Sequence, residues 1–526
     1  MKNQLDTEDI IEGITRRQFM KFTSVAACTA IVSNTLGCSI LGSRMPQINT
    51  KRPFIINNAN IIDVINGKVI ENYSIEMQNG KILKIFPSNE NLDPSVKTMS
   101  LNGRYVCPGL IDAHCHSTIT SVYSFNVFQG WRHLRQQEAN FRLCIESGVT
   151  TIRDVGAMQY FLEWYIDRIN NEWILGPRVI YANAMLNIKG GHPEVNPTDI
   201  NYFANAAAPF MGMPNVGFSS TDELKKALEK NSIRASFIKL TVDPTSIFCK
   251  SNPSIPVYTD EHLSIIFDFA EKKSLPVVCH NMDKAGFDRM INYPIHSLEH
   301  AVSDVYLSDQ EIENFAKKSI AVVPTLSIGQ SFASHVMFDK TPDEFQTEFI
   351  ENEISIRNQY INTEAKNHID HKFHQLNMDN MELYKTIACQ DMWDKKIFMA
   401  NPYKTFGMLK YGVENIKKLK DAGVLIGIGM DAGMPFSYFG SLYREFELLS
   451  RVGFNNHEIL RCATYNNAKI LNMSDLLGNI SPGKYADLVV YNENPLQDIT
   501  VLRKPQVVFK EGKVMISHID LNGIIS

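Results

Sequence analysis

The sequence predicts an α/β protein: a (β/α)8 barrel, a small β-sandwich built from both chain ends, and a helical insertion after the seventh barrel strand. Three observations predict it. The middle of the chain alternates eight short apolar segments with amphipathic ones, the order of a parallel sheet covered by helices. Both ends instead carry short alternating runs broken by turn signals. About eighty residues separate the seventh strand segment from the helix before the eighth, far beyond ordinary loop length.

At the N-terminus, Thr15-Arg16-Arg17-Gln18-Phe19-Met20-Lys21 precedes an apolar run from Phe22 to Val32. That run is too short, and too rich in Ser, Thr and Ala, to span a bilayer. A basic segment followed by a short apolar one has the pattern of an export signal. The arginine pair resembles a twin-arginine signal, which a receptor reads as an address. Thr35-Leu36-Gly37-Cys38 resembles a lipoprotein box, with Cys38 as the lipidated residue and the point of membrane attachment. Thr35 departs from it, since an aliphatic residue is usual there. Residues 1–38 are therefore set aside as a signal and 39–52 as a linker, and the mature chain is expected in the periplasm or at the cell envelope of a bacterium.

The first sandwich segment is residues 53–107, where FIINNANIID, SIEM and KILKIF are separated by Asn66-Gly67 and Asn79-Gly80. Asn-Gly suits a tight hairpin because both residues tolerate positive φ. ADLVVY, QVVFK and VMI around Glu511-Gly512-Lys513 have the same texture, so residues 478–520 complete this composite domain. Between them, residues 108–477 carry the barrel strands LIDAHCH, TTIRDV, RVIYANAM, FIKL, PVVCH, HSLEH, AVVPTL and VLIGIGMD. The insertion, about residues 330–410, reads as helical from Glu344 to Met392. Following a barrel strand, it is expected over the active-site face as a lid or substrate-shaping segment, or as a homo-oligomer contact.

Composition excludes some classes. With 44% hydrophobic and 21% charged residues the chain is ordinary for a globular protein, and a net charge of -5 gives no basic footprint for nucleic acid. Seven cysteines follow Cys38, an odd number with no CxxC pair, so neither a disulfide framework nor a zinc ribbon is indicated. They read as buried thiols.

Catalytic groups of a parallel barrel stand at the C-terminal ends of its strands. His114 and His116 close the first strand segment, and period-two alternation sets both on one face with Cys115 on the other. Lys239 lies in the fourth, His280 ends the fifth, His300 the sixth and Asp431 the eighth. Histidine nitrogen with carboxylate oxygen suits zinc or a related transition metal. An ammonium at Lys239 would be repelled by such ions. A deprotonated lysine can instead take up carbon dioxide as a carbamate, an anion able to bridge two metals; the plainer alternative is a lysine paired with a carboxylate.

These motifs resemble the amidohydrolase superfamily from about Pro53 to Val514, in the branch of imidazolonepropionase and metal-dependent Xaa-Pro dipeptidases. VCPGLIDAHCH looks like its first-strand motif and GVTTIRDVGA like its second. GPRVIYANAMLNIKGGHPE resembles its third strand and loop, FIKL the carboxylated-lysine position, and VVCH, SLEH and GMDAG the remaining ligand positions. ATYNNAKILN and LGNISPGKYADLVVYNENPL are similar to its closing helix and sandwich. The resemblance implies two divalent metal ions, zinc by preference: one on His114, His116 and Asp431, a second on His280 and His300, with carbamylated Lys239 between them. It implies a metal-bridged hydroxide as nucleophile, Asp431 as general base and then acid, and His192 as a contact to the substrate's carboxylate.

Three departures bear on the substrate: TVDPTSIF after Lys239 in place of a Gly-rich loop, Asn281-Met282-Asp283 after His280, and Met430 where Thr is usual. His368, His371 and His374 recur every third residue but read as a solvated helix face, and His296 as core. The expected activity is hydrolysis of an amide bond in a small carboxylate-bearing substrate, an Xaa-Pro-like dipeptide or N-acyl amino acid. A cyclic amide or lactone hydrolase or a deaminase is the alternative enzyme, and an inactive envelope binding protein the alternative of another class.

Overall fold

The computed structural model describes residues 50–90, 92–121, 130–193, 212–246, 254–333, 341–384 and 401–520. The expected signal, linker start, Cys38, Cys249 and Cys389 lie outside them.

Strands from both chain ends share one sheet. β1 (Phe54–Asp63), β2 (Lys68–Gln78), β3 (Lys81–Pro87), β4 (Lys97–Ser100) and β5 (Tyr105–Pro108) come from the N-terminal side. β6 (Leu110–Cys115) to β14 belong to the middle of the chain, and β15 (Leu488–Tyr491), β16 (Val507–Lys510) and β17 (Lys513–Ser517) follow. The sheet is eight-stranded, ordered β17-β16-β15-β5-β1-β2-β3, with β4 beside β1. β2 turns into β3 through Asn79 and Gly80 at φ 52° and 77°, the positive angles that an Asn-Gly turn supplies without strain. Phe54, Ile56, Ile75, Met77, Val106, Leu488, Val490 and Phe509 bury together as its core.

The middle strands are parallel. β6, β7 (Val149–Asp154) and β8 (Arg178–Tyr181) form one sheet. β9 (Met185–Ile188), β10 (Asn215–Phe218), β11 (Ile238–Thr241), β12 (Val277–His280), β13 (Ser297–Glu299) and β14 (Ala321–Val323) form a second, ordered β10-β9-β11-β12-β13-β14. This arrangement is consistent with a TIM-barrel-like domain. RVIYANAM is interrupted between β8 and β9, where Asn183 takes φ 64° and spends its side-chain amide on Asn231 O and Ile233 O. VLIGIGMD is not a regular strand: it pairs through a single bridge, Val322 with Ile426, and the next residue, Ala432, bridges Cys115. Glycine at 427 and 429 is the reason, since each admits a close neighbour in place of a pleated side chain. A Cβ on Gly429 would lie 2.5 Å from His114 Cβ.

Helices alternate with these strands: α1 (Gly130–Glu146), α2 (Gln159–Asn170), α3 (Thr221–Asn231), α4 (Asp260–Lys273), α5 (Lys284–Met290) and α6 (Asp309–Ala316). Their boundaries are written in the sequence. Ser220 caps α3 through Glu223 N, and Thr259 and Ser308 form capping boxes on α4 and α6. Leu224 and Leu228, four apart, place one face of α3 in the core, where each buried leucine contributes roughly 1.5–3 kcal/mol.

The described residues of the insertion and its flanks form α7 (Leu326–Ala333), α8 (Glu348–Thr363), α9 (His371–Tyr384) and α10 (Pro402–Gly407), before α11 (Val413–Asp421), and the expected helical stretch from 385 to Met392 lies outside the described residues. It docks where the strands end. Asp370 accepts from Arg132 at 2.7 Å and its N–H donates to Gln136 at 2.6 Å. Asn377 donates to Ser121 O and to the Tyr438 hydroxyl. Cys107, Cys115, Cys144, Cys279 and Cys462 are buried free thiols.

Candidate active site

The parallel register sets the predicted residues at one edge. Thr241 pairs with His280, and His280 with Glu299. His300 N then donates to Val323 O, and Asp431 N to His114 O, each at 2.8 Å. His300 and Asp431 both adopt positive φ, 76° and 54°. Non-glycine residues there carry strain, which concentrates at functional sites.

Asp431 Oδ1 lies 3.2 Å from His116 Nε2 and 3.5 Å from His114 Nε2, and these three side chains could hold a metal ion. The histidine rings continue round the site. Centroids are 4.7 Å apart for His114 and His300, 4.3 Å for His300 and His280, and 4.5 Å for His280 and His192. Lys239 is fully buried and its Nζ has no hydrogen-bond partner among the described residues.

The donor set fits a cation. His114 Nδ1 donates to Glu299 Oε2 at 2.7 Å and His116 Nδ1 to Gly156 O at 2.8 Å. His300 Nδ1 bonds Thr325 Oγ1 at 2.6 Å. Tying each Nδ1 leaves each Nε2 as the ligand atom, which is how metal-binding histidines are held. For His114 and His116 that directs two lone pairs at a carboxylate oxygen, an arrangement that a bound cation relieves.

Electrostatics agree. Burial, with the Lys239 charge next, keeps His114 and His280 well below the ordinary histidine range. Burial raises Asp431, and only positive charge at His114 and His116, on the imidazoles or on a cation held between them, brings the carboxylate below its usual range. Burial lowers Lys239 to about 8; Glu299 opposes this and Arg153 reinforces it.

The sequence match decides the family: residues 105–515, well over half of the chain, match the model of the amidohydrolase family. The chain belongs to the amidohydrolase family. Ochratoxinase of Aspergillus niger is 24% identical over 435 residues, 77% of this chain and 75% of that protein. Imidazolonepropionase of Geobacillus kaustophilus is 32% identical over 111 residues, 19% of this chain and 26% of that protein. Among solved structures, a prolidase complexed with N-methylphosphonate-L-proline superposes with TM-score 0.66 at 20% identity, covering 88% of this chain and 99% of that one.

His114, His116, His280, His300 and Asp431 thus stand together at one edge with His192 beside His280, while Lys239 lies two residues before the end of β11. The sequence reading passed over Glu299 and Arg153. Arg153 is buried and donates to Glu299 Oε1 at 2.6 Å, Ala113 O at 2.6 Å and Ser297 Oγ at 3.2 Å, and Glu299 carries His114. The available signal was a charged residue inside each of two apolar strand segments, TTIRDV and HSLEH. His296 Nε2 bonds Ile470 O, away from the cluster. His368 Nδ1 bonds Phe439 O at 3.1 Å and is mostly buried rather than solvated, because the helical insertion packs it there.

Proposed function

We propose that this amidohydrolase cleaves the amide bond of a small carboxylate-bearing substrate, an Xaa-Pro-like dipeptide or an N-acyl amino acid. The observation that carries it is the Asp431 carboxylate facing two histidine Nε2 atoms beside an unpartnered buried lysine. His114, His116 and Asp431 would hold one divalent ion, by preference zinc, and His280 with His300 a second, with Lys239 as a carbamate shared between them. Bound there, the ions would activate water and polarise the scissile carbonyl.

The chain's own groups do the rest. Asp431 accepts a proton at its carboxylate and returns it to the leaving nitrogen. Burial favours the neutral amine of Lys239, and only the neutral amine takes up carbon dioxide. His192, beside His280, supports a contact to the substrate carboxylate. The prolidase neighbour, with its bound proline phosphonate, supports the dipeptide reading. The imidazolonepropionase stretch supports the second reading, a cyclic amide or lactone.

Wild-type protein is expected to hold close to two metal equivalents and Lys239→Ala to lose at least one, measured by metal analysis. Two equivalents retained in Lys239→Ala would remove the bridging role.

The same reading takes the parallel strands as a closed (β/α)8 barrel. Ala113 N donates to Ile428 O and Val322 N to Leu425 O, both at 2.9 Å, so segment 424–431 bonds to β6 on one side and β14 on the other. A crystal structure with an open edge at β14 would sink this. The composite sheet would fold over its own core as a sandwich, with residues 53–107 and 478–520 as one domain. The arginine pair and Cys38 support export to the envelope with a lipid anchor. In detergent partitioning the wild type should enter the detergent phase and Cys38→Ser the aqueous phase; identical partitioning refutes the anchor.

A further inference from the structure

Three stretches meet on the His280 side of the site: the loop after β11, the loop after β12, and α10, which ends the insertion. Asp243, just past β11, is buried and accepts from Asn281 Nδ2 at 3.0 Å, Met282 N at 2.9 Å and Asp283 N at 3.2 Å. Its Oδ2 lies 3.4 Å from His280 Nε2. Asp283 accepts from Thr245 Oγ1 and from Lys404 Nζ, each at 2.6 Å. Lys404 Nζ also donates to Thr245 O at 3.2 Å and stands 3.8 Å from Asp243.

Lys404 is 7% exposed. A lysine ordinarily keeps its ammonium in water, because desolvating the charge is costly. Here the whole side chain turns inward, and what it meets is a pair of buried carboxylates. Asp243 is satisfied by amide donors of the loop between β12 and α5. Among the described residues the Asp283 carboxylate has a hydroxyl and Lys404 as its donors, so the ammonium is its charge partner. Asp243, Thr245, Asp283 and Lys404 thus form one connected device.

We propose that Lys404 is a positioning residue: by holding Asp283 and Thr245 it sets the loops after β11 and β12, and through Asp243 the orientation of His280. The helical insertion thereby controls the metal-binding edge beside His192. This rests on the proposed metal centre for its catalytic meaning, but not for its geometry.

The experiment titrates zinc into metal-free full-length protein for wild type, Lys404→Met, Lys404→Arg, Asp283→Asn and the Lys404→Met/Asp283→Asn pair. It also records the ring 15N shifts of histidine-labelled protein, with His280 assigned from His280→Asn. Lys404→Met should weaken one of the two zinc equivalents about 10- to 100-fold and leave the other unchanged, as expected for a residue that orients a ligand. The His280 shift should move and the His296 shift stay. Lys404→Arg should restore both, and the double variant should bind better than the sum of its single losses predicts.

Equal weakening of both equivalents, or an unmoved His280 shift in Lys404→Met, overturns the proposal. If wild type takes up no zinc, the metal-centre reading fails by itself, and the His280 shift alone then decides the positioning claim.

Discussion

Asp431→Asn is expected to lower kcat/KM for a hydrolysed amide by about 10²- to 10⁴-fold, the range that a positioned proton-transfer group supplies. The substitution keeps shape and removes charge. Asp431 Oδ1 faces Nε2 of both His114 and His116, so no other carboxylate is placed to take its proton there among the described residues. Its backbone N–H bond to His114 O does not involve the side chain, so circular dichroism and thermal unfolding should stay close to wild type. Metal analysis runs alongside, because Asn is a weaker ligand and one equivalent is expected to bind less tightly. Unchanged hydrolysis in a metal-loaded Asp431→Asn protein would refute the assignment.

The second large effect is on stability. Arg153→Met should destabilise the protein by about 3–5 kcal/mol, the usual result of leaving one member of a buried ion pair behind. Arg153 and Glu299 are both essentially without solvent exposure, and the guanidinium also serves Ala113 O and Ser297. Urea unfolding measures the loss.

A double variant, Arg153→Met/Glu299→Leu, removes the stranded charge and should recover much of the stability, since apolar replacements of buried pairs are often neutral. It should not recover metal binding. His114 Nδ1 then has no acceptor, and losing such a partner weakens a metal site about 10- to 100-fold. Stability and zinc affinity are therefore expected to separate in this pair of variants. If they rise and fall together, Glu299 is only a packing partner of Arg153.

The candidate ligand positions were legible because most of them sit at the end of an apolar run, where strand period and turn signals fix their place without knowledge of their neighbours. The hairpins were legible for a similar reason: Asn79-Gly80 states its own backbone angles. Glu299 and Arg153 were not, because their meaning is each other, and residues 146 apart in sequence declare no pairing. The same holds for Lys404 and Asp283, one in the insertion and one after β12. Segment 424–431 read as a strand from composition, but its glycines answer to contacts with His114 and Asn467 that only the fold supplies.

The shared sheet has a consequence in time. β5 pairs with β15, roughly 380 residues further along the chain. At synthesis rates of about 5–20 residues per second, that edge of β5 waits on the order of 20 to 80 seconds for its neighbour. Over that interval its backbone N–H and C=O groups can template other strands, the ordinary beginning of misassembly. The newborn chain is thus most vulnerable at an edge that the finished molecule conceals, and only the last strands to be made can close it.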